Sequence, residues 1–120
     1  MFDVIFYRDI KGREPTAEFI SELRQRSHAN KNARINFNKI IAYIDILCEN
    51  GTRAGEPIVK HLDGDIWELR PLDNRILFSY YKDKIYILLH HFTKKTQKTP
   101  QREIEQAKRY FSDYIERNGK

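Results

Sequence analysis

The sequence predicts an α+β fold in a single domain: an antiparallel β-meander sheet with an N-terminal strand, a two-helix hairpin and a C-terminal helix. Three observations predict it. A short β-branched and aromatic run opens the chain, and two runs at helical period follow it. Four β-rich runs then succeed one another across connections of only two to four residues. A last helix-period run closes the order β-α-α-β-β-β-β-α.

Residues 2–7 (FDVIFY) read as a strand, stopped by Asp9 and by Lys11-Gly12. Pro15 stands where a helix begins, its fixed φ suited to a first turn, and Phe19, Ile20 and Leu23 form an apolar stripe at helical spacing. The stretch SHANKN (27–32) interrupts that helix. A longer one follows, with Ala33, Phe37, Ile40, Ile41, Ile44, Leu47 and Cys48 on one face and Asn50-Gly51 as its stop. The two helices are expected to pair as a hairpin. The period then becomes strand-like in IVKHL (58–62), DIWELR (65–70), RILFSYY (75–81) and IYILLHHF (85–92). Asp63-Gly64 is a hairpin signal, and PLDN (71–74) and KDK (82–84) separate the later runs. Connections this short force antiparallel neighbours, so the expected sheet is antiparallel. Thr99-Pro100 reads as an N-cap followed by proline at the first helical position, and Ile104, Ala107, Phe111 and Tyr114 mark the buried stripe of the closing helix.

A chain of 120 residues fits one domain, residues 1–120. Its 40% hydrophobic content, with seven Phe, supports a core, and its 32% of charged residues are mixed in sign, which argues against disorder. The net charge of +5 and the pI near 9.3 point to a polyanionic partner, nucleic acid or an acidic protein. Cys48 is the sole cysteine, so no internal disulfide forms, and no Cys/His spacing suits zinc; no metal or other cofactor is expected. This usage suits a reducing cytosol and a cytoplasmic location. The opening MFDVIFYRDIKG lacks the charged-then-apolar pattern of a secretory signal. The longest apolar stretch, Ile85 to Leu89, is far shorter than the ~20 residues that cross a bilayer, so no membrane partner is expected.

One stretch concentrates the charge. HHFTKKTQKTP (90–100) carries three lysines, two histidines and a phenylalanine with no carboxylate. Over residues 94–109, Lys94, Lys95, Lys98, Arg102, Lys108 and Arg109 face only Glu103 and Glu105. Arg70 ends WELR, and Arg75 opens the next strand across a four-residue turn. In an antiparallel meander these arginines meet at one end of their hairpin, and Lys94-Lys95 arrives at the same end. Such a cluster repels itself unless an anion relieves it. Arginine offers a planar fork matched to phosphate oxygens, and lysine a mobile point charge. Both stabilise charge that grows on phosphoryl oxygens.

Histidine is the ordinary proton carrier near neutral pH. His90 and His91 lie on the strand that delivers the lysines; alternation sends them to opposite faces, His90 with Phe92. His61, in the first meander strand, is another candidate. Lys60, His61, Phe92 and Lys98 are candidate RNA contacts, and Tyr80, Tyr81 and Trp67 offer further rings on which unpaired bases stack. Plainer readings stand beside these. Arg70 also suits an ion pair with Glu68 on the same strand face, Lys94-Lys95 a charged strand end that discourages edge pairing, and the aromatic residues and Cys48 a core.

The segments KHLDGDIWELRPLDNRILFSYY (60–81) and IYILLHHFTKKTQKTP (85–100) resemble the RelE/HigB superfamily of bacterial toxins, in its phage-derived HigB-like branch. That branch combines WELR, an R-I-L-F strand and LLHxFxKKTxxTP before a final helix. The resemblance covers essentially the whole chain, including the two-helix insertion. It implies a RelE-like fold and the toxin component of a type II toxin-antitoxin system. It implies a ribosome-dependent endoribonuclease that cuts mRNA in the decoding site without metal: the 2′-hydroxyl attacks the adjacent phosphate and leaves a cyclic phosphate. It implies as partners the ribosome, mRNA and a HigA-like helix-turn-helix antitoxin, with operator DNA reached only through that antitoxin. Position by position, it implies catalytic roles for Arg70, Arg75, the basic pair Lys94 and Lys95, and His90. The aromatic acid or base that some members carry near the final helix has no equivalent in KTPQRE (98–103). Two other classes stay open: a ParE-like, non-enzymatic toxin that binds gyrase, and a basic module that only binds RNA or protein.

Overall fold

The structure, a computed structural model, describes residues 1–120. Strand β1 (Asp3–Phe6) is followed by helices α1 (Pro15–Arg26) and α2 (Lys31–Asn50). A short 3-10 turn (Gly51–Ala54) then leads to β2 (Val59–Asp63), β3 (Ile66–Leu69), β4 (Asn74–Tyr80), β5 (Ile85–Thr93) and finally α3 (Gln101–Asn118). The five strands form one sheet in the order β1-β5-β4-β3-β2. The meander from β2 to β5 is antiparallel, as expected. The sheet as a whole is mixed, because β1 pairs in parallel with β5, Asp3 opposite Ile85 and Phe6 opposite Leu88. A parallel partner needs a long crossover, and here the helical hairpin and three strands lie between the two.

The sheet is covered on both sides. Ile20 and Leu23 of α1 and Ala33, Ile40 and Leu47 of α2 pack on Val59, Leu69, Ile76, Phe78, Tyr86 and Leu88. On the other side Ala107 of α3 joins Tyr7, Ile66, Leu77, Ile87 and Leu89, with Phe111 and Tyr114 half-buried beside them. The α2 stripe is narrower than its sequence suggests. Ala33, Ile40 and Leu47 form its buried line, while Ile41, one position further round the helix, is exposed. The Asn30 side chain accepts from the Ala33 amide at 2.9 Å and starts α2. Gly51 ends it at φ +60°, in the left-handed region. A Cβ there would stand 2.8 Å from both the Phe2 ring and the Tyr86 hydroxyl. Gly51→Ala therefore combines backbone strain with overpacking, and a loss of roughly 2–4 kcal/mol is expected as a lower urea midpoint at unchanged slope.

Helix α3 is held at both ends. Near its C-terminus the Tyr7 hydroxyl donates to Asp113 at 2.6 Å, and Arg117 clasps the same carboxylate. Burial, with that carboxylate beside it, pushes the Tyr7 phenol up to about 12. At the N-terminus the expected cap is absent. Pro100 occupies the cap position in extended conformation, and α3 begins at Gln101. The Thr99 hydroxyl instead turns inward and donates to Glu68.

Candidate functional site

The β3–β4 turn sets the geometry. Leu72 takes a left-handed φ of +59°, and Asn74 Nδ2 donates to Pro71 O at 3.2 Å and to Asn36 Oδ1 on α2 at 2.8 Å. The ladder then runs on past β5, with the Lys94 amide donating to Asp73 O at 2.7 Å. Asn74 pairs with Thr93 and Arg75 with Phe92. Arg70, Arg75, Lys94 and Lys95 accordingly stand at the same end of the sheet, as antiparallel connectivity predicts.

A carboxylate lies among them. Glu68 is only 1% exposed, and its Oε1 is 3.3 Å from Arg70 Nε and 3.8 Å from Arg75 Nε. Its Oε2 accepts from the Thr99 hydroxyl. Arg75 is 5% exposed and is further fixed by Nη1, which donates to Leu72 O at 2.7 Å and Asn74 O at 2.8 Å. Burial pulls this guanidinium below its ordinary value, with Glu68 opposing the shift and Arg70 adding to it. It stays charged at any physiological pH. Arg70 is more open, its side chain 21% exposed, and its Nη1 lies 3.6 Å from the exposed Glu56 carboxylate. Arg70 Nε is sealed from solvent yet makes no hydrogen bond.

The loop 94–100 has a cleft on each side. The first, about 410 Å³, is lined by Lys60, His61, Arg70, Lys98 and Thr99 over the apolar floor of Leu62 and Ile104. The second, about 470 Å³, is lined by Phe92, Lys95, Thr96, Pro100, Arg102 and Glu103. The cations share one end of the molecule but open into two grooves: Arg70, Lys60 and Lys98 into one, Lys95 and Arg102 into the other.

The histidines take distinct places. A bulge in β5 leaves Leu77 opposite His90 and Phe78 opposite Leu88, so Leu89 has no partner. Past it, His90 faces α3 and its Nε2 donates to Glu103 at 2.7 Å. His91 faces α1, where it stacks on Phe19 with ring centroids 4.4 Å apart. Burial pushes the His91 imidazole down, the neighbouring His90 in the same direction. His61 is exposed, and its Nε2 donates to Gly64 O at 2.8 Å across the β2–β3 turn.

Three groups at this end escape sequence reasoning. Thr99 reads as a helix cap, Glu68 as a simple partner of Arg70, and Glu103 as one surface carboxylate on a basic helix. Only the four-residue spacing of Glu103 from Ala107, on the apolar stripe of the closing helix, hints that it faces the sheet. A family profile described as phage derived protein Gp49-like (DUF891) matches residues 29–112, a span that contains all of these residues. No curated protein matches the chain.

Proposed function

Since the chain belongs to the phage-derived Gp49-like family, a family of toxin-antitoxin toxins of the RelE/HigB type, we propose that it is a toxin that cleaves mRNA on the ribosome. The observation that carries this reading is the convergence of Arg70, Arg75, Lys94, Lys95 and Lys98 at one end of the sheet, beside clefts of nucleotide size. In the proposed reaction the 2′-oxygen of the substrate attacks the adjacent phosphorus. A 2′,3′-cyclic phosphate forms, the bond to the 5′-oxygen breaks, and the proton given up by the 2′-hydroxyl is balanced by the one taken up by the leaving 5′-oxygen. Such a reaction needs alignment, charge stabilisation and proton transfer, and no protein nucleophile.

Each group has a part. Arg70 contacts the phosphate through its open side, while Arg75 acts from behind through its field, since almost none of it reaches solvent. Lys94 and Lys95 stabilise charge on the transition-state oxygens. His90, oriented by Glu103, carries the proton. Lys60, His61 and Lys98 hold the strand on one side of the loop and Phe92 stacks on a base on the other. The ribosome supplies the alignment of the RNA that so small a surface leaves to it. The cognate partner is a helix-turn-helix antitoxin, encoded in a neighbouring reading frame, and operator DNA is met only through it. No helix of this chain is long and apolar enough to cross a membrane.

Mapping new 5′ ends in a translating extract tests the proposal. Ends in phase with codons are expected. Intact mRNA with DNA breakage in expressing cells would place the chain with gyrase-binding toxins instead, and intact mRNA without growth arrest would leave a binding module. Arg70→Ala should lower the cleavage rate by roughly 10²–10³, and the thermal midpoint should fall with it, because the substitution takes from the buried Glu68 carboxylate the cation 3.3 Å away.

A further inference from the structure

We propose that Glu68 is the positioning residue of this site: a buried carboxylate that aims the arginines and pins the lysine loop. The inference rests on the RNA-cleaving reading above and names the group that assembles its parts. An isolated buried carboxylate is costly, and such groups persist where they are paired and hydrogen-bonded. Glu68 is held by three partners from three segments: Arg70 just beyond β3, Arg75 at the start of β4, and Thr99 in the loop before α3. The Thr99 hydroxyl is the one side chain of residues 94–100 that hydrogen-bonds outside the loop. The Lys94 amide fastens the near end of the loop to Asp73, and Thr99 fastens the far end to Glu68. The loop held by these two anchors carries Lys94, Lys95 and Lys98; Lys98 shares one cleft with Arg70, and Lys95 lines the other.

Glu68 is nearly sealed from solvent and does not meet the RNA. It acts through the residues that do. Its charge also cancels part of the cluster's self-repulsion, so the cations stay gathered before a phosphate arrives. Removing that charge while keeping the shape leaves the site stickier for RNA and worse at chemistry. A residue that only supports the fold would lower both together.

Glu68→Gln and Thr99→Val are the variants, and three measurements read them. One is affinity for a fluorescein-labelled single-stranded RNA over a range of salt. The others are mRNA cleavage in a translating extract and amide hydrogen exchange of residues 94–100. For Glu68→Gln, RNA affinity equal to or above wild type is expected, with cleavage at saturating toxin down about ten- to a hundredfold. For Thr99→Val, faster exchange confined to the loop is expected, with RNA affinity kept and cleavage down about tenfold. Wild-type cleavage in both variants would overturn the proposal. So would a parallel fall of affinity and cleavage in step with a lowered thermal midpoint. If Glu68→Gln does not fold, Thr99→Val decides alone: unchanged loop exchange together with unchanged cleavage overturns the tether. If wild-type protein cuts no mRNA, the endonuclease reading fails on its own, while RNA affinity and loop exchange still judge the part played by Glu68.

Discussion

Replacing Lys94 and Lys95 together by alanine should abolish toxicity and leave the fold intact. Neither ammonium takes part in an ion pair, and Lys95 is exposed. The contact that Lys94 makes with the β3–β4 turn uses its backbone amide, which alanine retains. Little stability is therefore at stake, about 0.5 kcal/mol or less for each substitution. The chemistry loses far more. A single well-placed donor to a developing oxyanion is worth roughly 3 kcal/mol, so losing two cations should slow cleavage by about a thousandfold or more. Growth on induced expression measures the first effect and thermal unfolding of the purified variant the second. Undiminished growth arrest would remove the basic pair from the mechanism and leave Arg70 and His90 to carry it.

Phe78→Ala should do the reverse, emptying the core while sparing the chemistry. Phe78 is fully buried on the α1–α2 side of the sheet, edge-on to Tyr86 at 5.5 Å between ring centroids. Its strand neighbours are Trp67 and Leu88, so the vacated space is walled by sheet and helix and cannot easily collapse. Truncations of this kind cost about 3–5 kcal/mol. Against a total stability of about 5–15 kcal/mol, that is a large share of the whole. A drop of roughly 10–20 °C in thermal midpoint is expected. RNA affinity per folded molecule should not change, since Arg70, His90 and Glu103 lie on the opposite face. An unchanged midpoint would mean that this core is not where the stability resides.

The parts of the molecule readable from sequence are those set by local chemistry. Turn residues mark the hairpins, although the β2–β3 turn residues are Gly64-Asp65, one residue later than Asp63-Gly64 suggests. Short connections then force Arg70, Arg75 and Lys94 to a common end, and no long-range information is needed for that. The resemblance to RelE/HigB toxins agrees in kind with the family match over residues 29–112. What remains hidden depends on distant partners. Nothing in FDVIFY says that β1 pairs in parallel with β5. Thr99 reads as a cap until a buried carboxylate from β3 comes within its reach. Alternation separates His90 from His91, but which of them meets α3 depends on the bulge at Leu89, one residue inserted into one strand. The burial of Arg75 follows from carbonyls of its own turn, which are invisible to any count of charges.

The parallel pairing of β1 with β5 bears on how the protein is made. Val4 must wait for Tyr86, and at about 5–20 residues per second that is a delay of roughly 4–16 s during translation. The lysine loop and the helix that walls both clefts are synthesised later still. Until α3 has been made, the nascent chain carries its basic residues without the loop and helix that wall the two clefts, so the candidate site is the last part of the molecule to assemble.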